Sequence, residues 1–273
     1  MTRLTGVNII HLDKLQSMVT NPEDREILAR AMDLAEVAGK SHRPQVTDFY
    51  DPYRCAMIAR AMGYLPDLAV VVDGGYPAAE RSRVLIFPDY MFAGDVDTGL
   101  SFLAVKGSFR FNTVTHRDYL GALLGLGLRR EKLGDILVGE DGAQLVVAAE
   151  VVDFIKMGLT GVGRVRVTVH EINRAEVKPP ARDYREIKVT VQSLRLDAVA
   201  AHGFGLSRTK MAGEIAAGKI YLNWRLCLDP SAPVRPGDMI SARGRGRVAV
   251  EQTGGQTKKG RTNLLLHRYG SNR

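Results

Sequence analysis

Between Leu100 and Val169 the spacing of apolar residues switches between a two-residue and a three-to-four-residue repeat in a fixed order, and that order limits the fold more than anything else in the chain. Leu100 to Val105 reads as a strand. A helix follows, with Thr115 as its cap and His116, Asp118 and Tyr119 in its first turn. Ile136 to Val138 and Leu145 to Val147 flank Glu140-Asp141-Gly142, a hairpin turn signal. A short helix spans Val151 to Met157, and Val165 to Val169 closes the block as a strand. The order β-α-β-β-α-β predicts the ferredoxin-like split βαβ arrangement.

Ahead of this block the spacing predicts helices. Asn21-Pro22-Glu23-Asp24 is a helix start, and Ile27, Leu28, Ala31, Leu34, Ala35 and Ala38 recur at three and four residues until Gly39. Asp51-Pro52 opens a second helix with Ala56, Ile58, Ala59 and Met62, ended by Gly63. Leu68 to Val72 and Val84 to Phe87 are short strand-like runs separated by Gly74-Gly75. Val177-Lys178-Pro179-Pro180-Ala181-Arg182 carries the prolines and charges of a boundary. The expected fold class is α+β: an N-terminal helical subdomain (1–66), a ferredoxin-like domain resembling the RNA-recognition-motif fold (67–176), a linker (177–187) and a C-terminal domain (188–273). The middle domain lacks the aromatic pattern with which that motif stacks bases, so RNA binding there rests on fold analogy alone.

Charge separates the parts. From Lys188 onward there are 15 Lys+Arg against 5 Asp+Glu, whereas residues 1–187 hold 23 against 25. The whole positive excess lies in the last third, which points to a polyanionic partner for that part. Cys55 and Cys227 form no C-x-x-C and read as free thiols of a reducing cytoplasm. No run of eighteen apolar residues occurs, and Met1 to Ile10 lack the pattern of a signal peptide, so a cytoplasmic protein with no membrane association is expected. His11, His42, His170, His202 and His267 lack ligand spacing; no metal site and no cofactor are expected.

In the C-terminal domain Ser193 is placed as the cap of a helix bearing Leu196, Val199 and Ala200, and Ser207 as the cap of a second bearing Met211 and Ile215, ended by Gly218. Ile220, Leu222 and Trp224 then alternate as a strand does, and Met239 to Ala242 is another. Arg195-Leu196-Asp197, Leu206-Ser207-Arg208, Gly218-Lys219-Ile220-Tyr221-Leu222-Asn223 and Val234-Arg235-Pro236-Gly237-Asp238 resemble, in order and spacing, the S4 domain, a small RNA-binding module. The resemblance continues along the chain. Asp73-Gly74-Gly75-Tyr76-Pro77-Ala78-Ala79-Glu80-Arg81, Thr115-His116-Arg117-Asp118-Tyr119-Leu120-Gly121-Ala122-Leu123-Leu124, and Ser241-Ala242-Arg243-Gly244-Arg245-Gly246-Arg247 with Thr257-Lys258-Lys259-Gly260-Arg261 are similar to signatures of the YlmH-type S4-domain proteins of bacteria. This resemblance implies a ribosome-associated quality-control factor that binds rRNA and tRNA on a large subunit carrying peptidyl-tRNA. A monomer is expected.

Arg195, Ser207, Arg208 and Lys210 are the phosphate contacts the S4 resemblance implies. A helix start with free amides and added cations suits a phosphate independently of any family. The alternative for Arg195 is a salt bridge to a nearby carboxylate. Lys219, Arg243, Arg245, Arg247, Lys258, Lys259 and Arg261 extend the expected RNA surface. Glu80, Arg81, His116, Arg117 and Asp118 form a second expected site, for RNA or for interdomain contact; if the chain were instead an RNA-modifying enzyme, its active site would lie around Glu80, Arg81, His116 and Asp118. His116-Arg117-Asp118 has the wording of a kinase catalytic loop, but the position for its asparagine holds Leu123 and no Asp-Phe-Gly follows. Arg195-Leu196-Asp197 has the wording of the catalytic aspartate motif of pseudouridine synthases, yet no catalytic domain follows it, so Asp197 is expected to be structural. A non-catalytic protein is the expectation.

Overall fold

The Asn21 carboxamide accepts the Glu23 amide at 2.9 Å and starts α1 (Pro22–Ser41), with Pro22 needing no donor at its position. The computed structural model describes residues 19, 21–109, 114–179, 184–257 and 259–270. The chain divides into two compact units, Met1–Pro180 and Ala181–Arg273. In the first unit, Ile27, Leu28, Ala31, Ala35 and Ala38 of α1 are buried as their spacing predicts, although the helix passes Gly39 and stops at left-handed His42. Asp51 caps α2 (Pro52–Met62) by accepting the Arg54 amide at 3.0 Å.

These helices do not stand alone. β1 (Gln45–Val46), β2 (Leu68–Asp73) and β3 (Arg83–Pro88) form an antiparallel sheet in the order β1-β3-β2, and Val84 and Ile86 share a core with Ile27, Leu28, Cys55 and Ile58. The boundary expected at 66/67 therefore falls inside one packed layer. β2 and β3 belong with the helices because β3 is buried along its whole length, one side against α1 and α2. Cys55 is a free thiol within this core, and burial pushes its pKa up to about 12.

Next come β4 (Leu100–Gly107), α3 (His116–Gly125), β5 (Leu133–Gly139), β6 (Gly142–Ala148), α4 (Val152–Gly158), β7 (Gly161–Val162) and β8 (Val165–Ile172). Their antiparallel sheet has the order β5-β6-β4-β8-β7, the ferredoxin-like topology. Leu103, Val105, Leu145 and Val147 face Tyr119, Leu123 and Ile155 of the helices. The opposite sheet face is covered by the protein itself. Phe102, Val146 and Ala148 pack with Phe49, Tyr76 and Val177, and the Gln144 carboxamide donates to the Glu176 carbonyl (2.9 Å) and accepts the Lys178 amide (2.7 Å). The start of the expected linker is thus strapped onto the sheet.

Two glycines make these approaches possible. Gly75 has φ +91°, and a Cβ on it would lie 2.6 Å from the Phe102 ring. Gly142 has φ +142°, and a Cβ there would strike the Val105 carbonyl.

The second unit comprises β9 (Tyr184–Val191), α5 (Leu196–Phe204), α6 (Arg208–Ala216), β10 (Ile220–Leu222), β11 (Arg225–Leu226), β12 (Met239–Ala242), β13 (Gly246–Gln256) and β14 (Thr262–Tyr269). One antiparallel sheet, β11-β10-β12-β13-β14-β9, packs Ile240, Val248, Val250, Leu264 and Leu266 against Leu196, Val199, Met211 and Ile215. Three local expectations change. Residues 184–187 of the expected linker are half of β9, held to β14 from Tyr184 to Val191. α5 starts after Arg195 rather than at a Ser193 cap. Trp224 is not in a strand: Asn223 and Trp224 have φ +49° and +64° and turn β10 into β11, because the Asn223 side chain is spent on Asp238 and on the Met239 amide.

Gly75→Ala should destabilise the first unit by about 2–3 kcal/mol, from positive-φ strain together with overpacking on Phe102. Denaturant titration measures this; an unchanged midpoint would show that the loop relaxes freely.

Candidate nucleic-acid interface

The second unit's basic surface is organised by a carboxylate. Asp197 lies in the first turn of α5 and is only 5% exposed. Arg195 binds it with two hydrogen bonds (Nε to Oδ1 3.2 Å, Nη2 to Oδ2 3.1 Å), and Arg208 does the same from the start of α6 (Nε to Oδ2 3.0 Å, Nη2 to Oδ1 3.2 Å). Burial works to raise the Asp197 pKa, but the hydrogen bonds and charges of the two arginines outweigh it and hold the carboxyl below its usual range. The pairing also raises the Arg195 pKa. Both guanidiniums remain about half exposed, at 41% and 52%, and neither uses its Nη1 in these bonds. Asp197 therefore holds two guanidiniums beside the starts of α5 and α6, with Nε and Nη2 of each engaged in the pair.

Ser207 caps α6, its hydroxyl accepting the Lys210 amide at 3.3 Å. This places Ser207, Arg208 and the exposed Lys210 in one turn beside Arg195. The other expected contacts are not all in this group. Lys219 and Arg243 meet at neighbouring turns, where the Arg243 amide donates to the Lys219 carbonyl at 3.0 Å. Lys219 also pairs with Glu214 at 3.2 Å. Arg245 lies in the same turn as Arg243, and Arg247 is on β13. Arg261 donates to the Thr190 carbonyl at 2.7 Å, with exposed Lys259 in its hairpin; Lys258 lies outside the described residues. The sequence offered Arg195 a salt bridge to a nearby carboxylate as its alternative, and Asp197 is that carboxylate; that Asp197 holds Arg208 as well was missed. The signal was the Arg-x-Asp spacing beside a second arginine at a helix start.

The second expected site resolves into structural ties. Arg81 donates to the carbonyls of Leu133 (3.0 Å), Phe49 (2.7 Å) and Arg130 (3.4 Å), so it joins the two sheets of the first unit. The Glu80 amide donates to Asp135 at 2.7 Å, as does the Tyr76 hydroxyl. Burial raises the Asp135 pKa and lowers that of Arg81. Asp118 closes a capping box, accepting the Thr115 amide (2.8 Å) and hydroxyl (2.7 Å). His116 and Arg117 are exposed in the same turn.

An open cleft of about 820 Å³ lies along Val72–Ala79 and Arg174–Pro179, and Glu80, Arg81, His116, Arg117 and Asp118 do not line it. Its charged pair, Asp73 and Arg174, is locked by two hydrogen bonds of 2.6 and 2.8 Å. No group of three His, Cys, Asp or Glu side chains among the described residues could hold a metal ion, and no described helix is long and apolar enough to cross a membrane.

A pair of short helices on a curled sheet, with arginines presented at the helix starts, is an S4-type RNA-binding architecture, and residues 194–240 match the S4 domain. Residues 23–91 match the domain described as "YlmH, N-terminal" and residues 95–176 the "Putative RNA-binding domain in YlmH". The chain is 35% identical over 246 residues, 90% of its length and 95% of the relative's, to "Ribosome-associated protein quality control protein P2" of Bacillus subtilis (strain 168). It also resembles the solved "Cell division protein ylmH from Streptococcus pneumoniae", with a TM-score of 0.50 and 29% identity, over 57% of this chain and 94% of that one. The chain belongs to the YlmH family of S4-domain RNA-binding proteins.

Removing either Arg195 or Arg208 leaves Asp197 one partner and should lower the melting temperature only slightly, because both arginine side chains are about half open to solvent. Removing both strands a buried carboxylate and should cost more than the singles together. Thermal melts of the four proteins check this coupling.

The pH dependence follows from the lowered Asp197 pKa. Its contribution to stability is complete above the unfolded value of about 3.9 and is lost as pH falls through the lower folded value. Asp197→Asn should therefore flatten the acid limb of the stability curve below about pH 4. An unchanged acid limb would show that the carboxylate is not clamped.

Proposed function

We propose that the protein is a non-catalytic factor that binds rRNA and tRNA on the ribosome, and that it acts on large subunits carrying peptidyl-tRNA in ribosome-associated quality control. It works as a cytoplasmic monomer and without a cofactor. The observation that carries this reading is the Asp197 clamp, which presents Arg195 and Arg208 beside the Ser207-capped start of α6 in the one unit with a positive excess. A helix start flanked by two oriented guanidiniums is a phosphate site by charge and by donor geometry. Arg208 is then a contact with two jobs: it neutralises Asp197 and offers its remaining donors to RNA. The name of the Bacillus subtilis relative, a ribosome-associated quality-control protein, supports the ribosomal setting. Glu80, Arg81 and Asp118 hold the first unit together in this reading, and no chemistry is assigned to them.

Sedimentation of lysates tests the proposal. The full chain should travel with the large subunit at low salt and leave it as salt rises, since each phosphate contact releases a counterion. Lys210→Ala, which touches no carboxylate, should shift release to lower salt with an unchanged melting temperature. A protein that stays at the top of the gradient at low salt, or that travels with the small subunit, contradicts the assignment.

A further inference from the structure

The second unit has another exposed surface, on the side of its sheet away from α5 and α6. Core residues alternate with outward ones: Ile220, Leu222, Ile240, Ala242, Val248, Val250, Leu264 and Leu266 pack with the helices, so their neighbours in each strand point outward. Strand register then aligns one outward row across all six strands. Leu226 is opposite Tyr221, Tyr221 opposite Ser241, Ser241 opposite Arg247, Arg247 opposite Tyr269, and Tyr269 opposite Tyr184. At about 4.8 Å per strand the row is about 24 Å long.

Its rings are arranged for stacking. Tyr184 is 50% exposed and lies face to face with His267, ring centroids 3.8 Å apart and planes 17° from parallel. Tyr269 meets Tyr184 edge-on at 6.0 Å. At the other end Tyr221 is half-buried, with the Arg243 guanidinium 3.5 Å from its hydroxyl. Cross-strand packing alone explains Tyr184 beside Tyr269. It does not explain Tyr221, which Ser241 and Arg247 separate from them, or Leu226, 52% exposed in the same row. Arg247 stands in the row, and Arg243 and Arg245 lie in the turn beside it. The nearby carboxylates, Glu186 and Glu251, are off the row and paired to Lys188 at 2.9 Å and to His267 at 3.2 Å.

We infer that this face is a second RNA surface, one that stacks the bases of an unpaired strand on Tyr184, Tyr269 and Tyr221 while Arg243 and Arg247 meet its phosphates. Every base has a π-face, so such a surface accepts single strands with little sequence preference, and a duplex, whose bases are already stacked, gains nothing from it. The inference rests on the unit being RNA-binding but uses none of the helix-start contacts. A factor built in this way grips structured RNA with α5 and α6 and holds a flanking unpaired segment across the back of the sheet.

The test uses the full chain, an oligouridylate of about twelve nucleotides, and a blunt RNA duplex of the same length. Tyr184→Leu and Tyr221→Leu should each weaken oligouridylate binding about tenfold and together more, while Tyr184→Phe and Tyr221→Phe bind as the parent does. Duplex affinity should be unchanged in all four. Parent-like oligouridylate binding by the leucine variants, or equal losses with phenylalanine and leucine, overturns the inference. If a leucine variant misfolds, Tyr184→Trp replaces it: its added emission should be quenched by saturating oligouridylate, and unquenched emission overturns the inference as well. A parent that binds duplex but not oligouridylate defeats the stacking surface alone. A parent that binds neither defeats the RNA-binding reading of the unit too.

Discussion

A carboxylate removed from water needs a counter-charge, and the second unit answers that need at Asp197 with two arginines drawn from different helices. The placement of both arginines depends on this. Arg195 precedes α5 and Arg208 opens α6, so a single buried anion sets the spacing of the two helix starts and the direction of both guanidiniums. Without it they would be long, mobile side chains whose ordering would have to be met on binding RNA. With it the two guanidiniums are already ordered, and both side chains remain about half exposed.

The first unit is built differently. Its ferredoxin-like sheet has the topology on which RNA-recognition motifs bind bases, but here Phe49, Tyr76 and Val177 cover that face and Gln144 ties down the chain beyond Asn173. Arg81 and Asp135 lock the same layer through backbone carbonyls, an amide and a tyrosine hydroxyl. Its best-formed polar groups are spent on internal contacts. Its charge balance is close to even. Both facts support the proposed polyanion grip in the second unit, where the positive excess and the exposed arginines coincide.

The features legible in the sequence were those set by local chemistry. Asn21, Asp51, Thr115 and Ser207 sit where short polar side chains satisfy helix amides, and each is a cap in the structure. The β-α-β-β-α-β order was readable from spacing, because a sheet with helices on one face imposes its period on the residues. What stayed hidden were relations between distant residues. Nothing local to Leu68 or Val84 shows that these strands pair with each other, and the Val84 strand with Gln45 and Val46, rather than joining the following sheet. Ser193 has the chemistry of a cap, but the Arg195–Pro233 bridge and the Asp197 amide bound to the Pro230 carbonyl at 3.0 Å start α5 later. The clamp joins positions 195, 197 and 208 across a helix turn, and the tyrosine row joins 184, 221 and 269 through register. Neither has a period that a sequence scan detects.

Mapping where RNA touches the chain tests the central claim most directly. Ultraviolet cross-linking of the full protein to its ribosomal complex, followed by peptide identification, should place the RNA adducts in 184–269, with peptides around Arg195–Lys210 and Lys219–Arg247 the most heavily modified. Adducts concentrated in 95–176, with the Arg195–Lys210 peptides unmodified, would contradict the account and move the grip to the sheet that the first unit covers.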